Sequence, residues 1–244
     1  MLSKTIHHIR RYLYKKTHRM LPELNGGEGA CGQDMLIHSL VGNKVGGVFV
    51  DIGAHDGVSR SNSYYFEKNM GWSGLAIEPI PGKFEELKKN RRCEVINGCI
   101  TGVSGKAKFL EVVGSANMLS TLAINNIGLT ERRLRKSAKR NNCSIREIEV
   151  ECYNPNDLFK EKGVTSIDFL SVDTEGGELD IIKSIDFSKT PVKVISVENN
   201  YFKSGMQNYL ISIGFLYLGT FNVDEIYIFG GEKLREAIKD QMPS

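Results

Sequence analysis

The sequence predicts a doubly wound α/β sheet closed by a C-terminal antiparallel hairpin. Three observations predict it. From Gln33 to Phe229, short apolar runs alternate with helix-like segments, the pattern of a mostly parallel sheet covered by helices. Several of these runs end on a carboxylate followed by glycine, as where a strand delivers polar groups to the crevice beyond its carboxyl end. The last two runs, LYLGTF and DEIYIFG, are separated only by Asn222 and Val223. That is too short for a crossover and long enough for an antiparallel pair.

Taken in order, residues 1–24 read as a basic amphipathic helix. Ile6, Ile9, Leu13, Thr17 and Met20 recur at helical spacing on one face, and six basic residues with no acid fill residues 1–20. The thin stripe favours packing on the domain or on a partner. Lying on an anionic membrane is the alternative, and His7, His8 and His18 would make that contact pH-sensitive. PELNGGEGACG, residues 22–32, reads as a linker, and the domain proper is taken as residues 25–244. QDMLIHSLV is a short helix. GGVFVDIGA is a buried parallel strand ending at Asp51. SNSYYFEKNMG is a helix stopped near Gly71, and GLAIEP a second strand. PGKFEELKKNRR is a helix with proline at its start and acids preceding bases, as the macrodipole favours.

CEVINGCI is a third strand. KAKFLEVV and IREIEVECY alternate like strands near a sheet edge. Between them, residues 114–145 read as a long irregular insertion on the substrate side, since loops of that length usually have a function. Inside it, TERRLRKSAKRN forms a short basic helix with Thr130 as N-cap. That helix is either a receiver for an anionic substrate or a solvated face. Residues 154–162 form a helix, SIDFLSVDTEGG holds a fourth core strand, ELDIIKSI a helix and VKVISVENN a fifth strand. MQNYLISIGF is a helix closed by Gly214 before the final pair.

Composition removes other classes. The chain is 244 residues long, 41% hydrophobic and 25% charged, the balance of a soluble globular protein and not of a disordered one. No run approaches 18 uninterrupted apolar residues, and the first twenty lack a secretory signal's apolar block and cleavage site. The five cysteines, Cys31, Cys93, Cys99, Cys143 and Cys152, are odd in number and have no CxxC spacing. They read as reduced thiols of a cytoplasmic protein, with no zinc knuckle. The net charge of +3 conceals an uneven distribution: once residues 1–20 and 130–141 are set aside, the remaining body is at −8.

Four motifs carry chemistry. In VFVDIGAHDGVS a buried strand ends in Asp51, and Gly53 and Gly57 turn the chain toward a helix. Glycines there let a ligand approach the backbone. The spacing is DxGxxxG, without the GxG pair of the dinucleotide fingerprint. It fits the first motif of class I S-adenosylmethionine (SAM) methyltransferases far better. Glu78 ends the second strand 27 residues after Asp51 and can accept hydrogen bonds from both hydroxyls of a ribose. In SVDTEGGE, Asp173 and Glu175 follow a buried strand and Gly176–Gly177 turn sharply into a helix. In SVENN, Glu198 ends the fifth strand. Carboxylates at strand ends serve as general bases, metal ligands, substrate acceptors or helix caps.

VFVDIGAHDGVSRSNSYYFEKNMGWSGLAIEP, with IDFLSVDTEGGELDIIKSIDF and VKVISVENN, resembles the FkbM-type SAM-dependent methyltransferases. The resemblance runs from about Gln33 to Phe229, leaving out residues 114–150. Ile182 stands where the family often has leucine, and Asn199 where it commonly has histidine. The resemblance implies a Rossmann-like class I fold with a seven-stranded sheet. It implies SAM as donor and a sugar or polyketide hydroxyl as acceptor. By position it places Asp51, Gly53 and His55 on the methionine side, Glu78 on the ribose, and Asn97 and Cys99 near the adenine. Gln33 and Asp34 would close over the cofactor, and Ser61 and Asn62 would help shape the site.

The expected reaction is methylation of a sugar hydroxyl in surface glycan or polysaccharide assembly. The hydroxyl must lose a proton, so a base is needed. Asp173 is the first candidate, then Glu175 and Glu198, with His55 as a further one. No metal ligand set is assigned, although a magnesium ion held by Asp173 and Glu198 would polarise the hydroxyl. The two basic segments suit an acceptor carried on phosphate or lipid, and a cytoplasmic protein with a peripheral membrane contact through residues 1–20. Two other readings stand beside this one. A nucleic-acid methyltransferase would explain the basic helix but lacks an RNA-binding module and an NPPY-type or paired-cysteine motif. A non-catalytic interaction module would have no use for an intact Asp51, Gly53, Gly57 and Glu78.

Overall fold

Asp51 and Glu78 stand on neighbouring parallel strands, and the sheet built around those strands fixes everything near them. The structure, a computed structural model, describes residues 33–115, 117–123, 129–200, 204–221 and 223–230. The expected N-terminal helix, the linker and Cys31 lie outside the described residues.

The elements, in chain order, are α1 (Gln33–Leu40), β1 (Val48–Ile52), α2 (Tyr64–Met70), β2 (Ser73–Glu78), α3 (Pro81–Asn90), β3 (Glu94–Asn97), β4 (Cys99–Ile100) and β5 (Gly105–Val113). A 3-10 turn (Asn117–Leu119), β6 (Thr121–Leu122), α4 (Leu129–Arg140), β7 (Ser144–Tyr153), α5 (Pro155–Glu161) and β8 (Ile167–Val172) follow. The chain continues through α6 (Glu178–Ser184), β9 (Val192–Glu198), α7 (Ser204–Ser212), β10 (Phe215–Phe221) and β11 (Asp224–Phe229).

The main sheet has seven strands in the order β10-β11-β9-β8-β1-β2-β3. β9, β8, β1, β2 and β3 are mutually parallel, and β11 runs antiparallel to both β9 and β10. This is the Rossmann-like class I arrangement. The chain winds outward from β1 through β2 to β3, then returns to β8 on the other side of β1. The switch point therefore lies between β1 and β8, where open α/β sheets bind ligands.

Alternation along the strands sorts the two faces. Phe49, Phe169, Val194, Ile226 and Ile228 pack with Leu36, Ile37 and Leu40 of α1 and with Phe66 and Trp72. Val50, Ile52, Leu170, Val172, Ile195 and Val197 pack with α5, α6 and α7 through Leu158, Phe159, Ile181, Ile182, Met206 and Leu210. At the carboxyl ends the first face turns polar. Asp51 is in register with Ser171, Ser171 with Ser196, and Glu198 with Asp224. All five are buried. The sheet thus delivers a row of oxygens to the crevice on one side.

A second sheet of four strands, β4-β7-β5-β6, corrects the expectation that KAKFLEVV and IREIEVECY lie near the edge of the main one. The run CEVINGCI is split at Gly98. A Cβ there would meet the Tyr153 ring at 2.6 Å and the Glu151 carbonyl at 2.7 Å. The chain leaves the main sheet there, and Cys99 pairs with Cys152 of β7 instead. Within 114–145 the described residues hold the expected basic helix, α4, and in addition the 3-10 turn and β6. α4 begins at Leu129, so Thr130 lies inside it and is not its N-cap. Leu134 and Ala138, four residues apart, seat this helix on Val112 of β5.

Candidate functional site

A cavity of about 450 Å³ opens at the switch point, between the carboxyl ends of the main sheet and the underside of the second sheet. Its wall includes Asp51, Gly53, His55 and Glu78 at one end, and Asp173, Glu175 and Glu198 at the other. Phe109, Asn117, Leu122 and Arg133 from the second sheet and α4 also line it.

The first end is built from backbone. The amides of Gly53 and Ala54 both donate to the Ile77 carbonyl at 3.0 Å, and the Asp173 amide donates to Ile52 at 2.9 Å. The parallel ladder so continues into the turn. Gly53 has φ +88°, and a Cβ on it would run into the Asp173 carbonyl, so glycine is required twice over. Gly57 does not line the cavity. It makes room for Leu87 and Arg91, whose Cγ would lie 2.7 Å from an added Cβ.

Glu78 is buried, yet both its oxygens have donors. Oε2 accepts from the His55 amide and Oε1 from the Ile80 amide, each at 2.9 Å. Burial pushes its carboxyl up to about 7, against these two amides and Lys83, which pull it down. Each oxygen retains a lone pair for a further donor. His55 is held at φ +51°, an uncommon conformation for a side-chain residue and typical of strained sites. Its Nε2 lies 3.3 Å from Asn117 Oδ1, and its ring is pushed below the usual histidine range by burial and then by Lys83. The imidazole is therefore neutral near pH 7, tied to the second sheet and not hydrogen-bonded to the carboxylate cluster.

Asp51 does not stand alone at the end of β1. Ser63 donates to it at 2.5 Å, and Arg91 donates to Ser63 at 3.0 Å. Burial raises the Asp51 carboxyl, while Arg91 and the serines oppose the rise. Arg91 also binds Glu67 at 2.6 Å and the Gly57 carbonyl at 3.1 Å. This buried guanidinium locks the glycine turn to α2. No local pattern marks it, because Arg91 and Arg92 read as the basic end of a helix.

The second end gathers carboxylates. Asp173 follows β8, Glu198 ends β9, and Glu175 sits between β8 and α6 at φ +56°. Their carboxylate oxygens lie within 4.8 Å of one another. Arg133 donates to Glu175 Oε2 at 2.5 Å and Asn200 donates to the same atom at 3.2 Å. Asp173 is exposed at the cavity wall. Its carboxyl is raised above the usual range, first by desolvation and then by the charges of Glu175, Asp224 and Glu178. Burial, then Asp173, pushes Glu198 up to about 11. Glu175 reaches about 7, with burial raising it and Arg133 restraining it. This end of the cavity therefore brings three carboxyls together, all displaced upward from their ordinary range.

The remaining expected residues are placed differently. Asn97 does not reach the cavity; its amide donates to the Glu78 carbonyl at 2.8 Å and so fixes the chain after β2. Cys99 does line it. Gln33 and Asp34 do not cover the cavity. They are buried in α1, where Gln33 donates to Asp224, a cavity residue. Ser61 and Asn62 line the wall, and Asn62 donates to Ser171 at 3.4 Å. Asn199 points away, to Glu225 at 3.1 Å, while its neighbour Asn200 takes the place in the wall. Arg133 and Asp224 were missed as site residues. The basic run was visible, but which of its residues turns inward depends on how α4 seats on the second sheet.

Among known families, the one described as "Methyltransferase FkbM domain" matches residues 51–229. A search of the curated proteins returns no match. Among solved structures, the methyltransferase FkbM from Methylobacillus flagellatus KT is 11% identical over 92% of this chain and 58% of its own, with a TM-score of 0.44. M. capricolum TrmK, solved with S-adenosylhomocysteine, is 11% identical over 86% and 68%, with a TM-score of 0.42. The METTL16 methyltransferase domain is 15% identical over 81% of this chain, which spans 65% of that chain, with a TM-score of 0.43.

Proposed function

The chain belongs to the FkbM methyltransferase family, and on that premise we propose that it transfers a methyl group from SAM to a hydroxyl of a sugar carried on a phosphate or lipid in surface glycan assembly. The observation that carries this reading is one cavity with two unlike ends. One end is a backbone cradle beside a doubly held Glu78, and the other is a carboxylate cluster able to take a proton.

The residues fit the cofactor. Gly53 leaves a space beside the Asp173 backbone that any Cβ would fill. Glu78 offers two oxygens to paired hydroxyls, and a cavity of about 450 Å³ falls in the range of small-molecule sites. When bound, SAM supplies a methyl group already activated on a sulfonium. The protein's own work is to align the acceptor oxygen and remove its proton. Glu78 orients the ribose, and the turn from Asp51 to His55 holds the methionine portion. Asp173 and Glu175 stand in the wall at the acceptor end to accept the proton, Glu175 with a midpoint of about 7. Arg133 restrains Glu175 and brings positive charge to the mouth of the cavity, where a phosphate on the acceptor would sit.

A nucleic-acid acceptor is the second reading, favoured by the exposed cations of α4. We place the reaction in the cytoplasm, at the membrane face when the acceptor is lipid-linked. Among the described residues no helix is long and apolar enough to cross a membrane.

The test is transfer of a labelled methyl group to a panel of nucleotide-linked and polyprenyl-phosphate-linked sugars, with RNA beside them. Label on a sugar, lost in Asp173→Asn while S-adenosylhomocysteine still binds, supports the reading. Label only on RNA overturns the sugar acceptor. Full activity in Asp173→Asn removes that residue from the proton path.

A further inference from the structure

Glu198 holds an oxygen that the fold does not satisfy. The residue is only 7% exposed, and its Oε2 is buried without a hydrogen-bond partner. A buried polar atom left without a partner is uncommon in a folded protein and needs a reason. It belongs to the group in which Asp173, Glu175 and Glu198 each bring a carboxylate oxygen within 4.8 Å of the others. The three come from separate elements, the ends of β8 and β9 and the turn before α6, and converge on the cavity wall.

The charge there is unbalanced. Among the described residues Arg133 is the cation paired with the cluster, and it binds Glu175 Oε2, the same oxygen that Asn200 occupies. Glu175 Oε1 is left for another partner, as is Glu198 Oε2. Asp224 adds a fourth carboxylate, in register beside Glu198, and Gln33 supplies its donor.

We propose that Asp173, Glu175 and Glu198 bind one hard divalent cation of the magnesium or manganese class at the acceptor end of the cavity. The donor set is oxygen only, without histidine or cysteine, which selects hard cations over zinc or copper. Three carboxylates leave positions of a six-coordinate ion for water and for substrate oxygens, the usual division at magnesium sites. The ion satisfies Glu198 Oε2, the oxygen the fold leaves without a partner. Its place in the wall points it at the hydroxyls of the acceptor. That catalytic use rests on the proposed methyl transfer; binding of the ion does not.

The experiment titrates Mn²⁺ into the full chain without cofactor, read by calorimetry in two buffers and by loss of the free-ion electron paramagnetic resonance signal. The expected result is saturable binding of one ion per chain with release of protons, since the ligands must ionise. Asp173→Asn and Glu198→Gln should each weaken it at least about tenfold. Glu85→Gln, on the exposed face of α3, should leave it unchanged. A titration of S-adenosylhomocysteine on the same samples reports folding and separates the two ideas. A chain that binds S-adenosylhomocysteine but takes up Mn²⁺ only more weakly than about 1 mM overturns the cation site. So does Mn²⁺ binding that survives both cluster variants. Mn²⁺ bound at the cluster by a chain that does not bind S-adenosylhomocysteine keeps the cation site and removes the methyl-transfer reading.

Discussion

Gly53 shows how much one residue can carry. Its φ of +88° costs an alanine about 1–2 kcal/mol for the left-handed conformation alone, and the added Cβ meets the Asp173 carbonyl. Gly53→Ala should therefore lower the melting temperature, and it should abolish binding of S-adenosylhomocysteine because β1 and β8 must separate to admit it. Retained binding in a fully stable variant would show that the turn is not the cradle. Residues of this kind were legible because a strand end followed by a constrained glycine is a local pattern. Asp51, Gly53, Asp173 and Glu175 follow it, Glu78 and Glu198 share only the carboxylate at a strand end, and all six line one cavity. Arg91 and Arg133 were not legible as site residues. Their importance comes from partners 24 and 42 residues away, Glu67 and Glu175, and no local spacing encodes such a meeting.

At the scale of the element, α4 separates its faces cleanly. Leu134 and Ala138 are buried, and Arg132, Arg135, Lys136, Lys139 and Arg140 are exposed. Neighbouring like charges on one helix face destabilise it by about 0.2–0.5 kcal/mol per pair, so this face is kept at some cost. If it receives the phosphate of the acceptor, changing Arg132, Lys136, Lys139 and Arg140 together to glutamine raises KM for a phosphate-linked acceptor and flattens its salt dependence. S-adenosylhomocysteine affinity should not move. Equal KM for the charged and uncharged acceptors in the parent protein would make α4 a solvated face only. The helices and strands themselves were largely readable from periodicity. The second sheet was not, because alternation in KAKFLEVV and IREIEVECY says that a strand has two faces and not which sheet it joins. Gly98 decides that, by releasing the chain toward β7.

At the scale of the whole molecule, the polar row at the carboxyl ends sets the response to pH. Glu78 has a folded midpoint of about 7 against an ordinary 4.5, and Asp173 and Glu198 are displaced in the same direction. A carboxyl with a raised midpoint stabilises the fold fully below its unfolded value, and the contribution is lost as pH rises through the folded one. The ligand-free protein should therefore be more stable near pH 5 than near pH 8. Glu78 alone contributes a loss of about 2–3 kcal/mol across that interval. Thermal melts across this range check it, and a stability that climbs steadily toward pH 8 would contradict it. Ligands that favour the ionised carboxylates should narrow the difference. Hydroxyls of a ribose would do so at Glu78, so S-adenosylhomocysteine should bind more tightly at pH 8 than at pH 6.

If the end of the cavity around Glu78 holds the adenosyl cofactor, calorimetric titration of S-adenosylhomocysteine into the parent protein and Glu78→Ala shows it. The expected result is micromolar binding by the parent and a loss of about 1.5–3 kcal/mol in the variant, the worth of hydrogen bonds to a charged group. A folded parent protein that fails to bind, or a variant that binds as tightly as the parent, would contradict it.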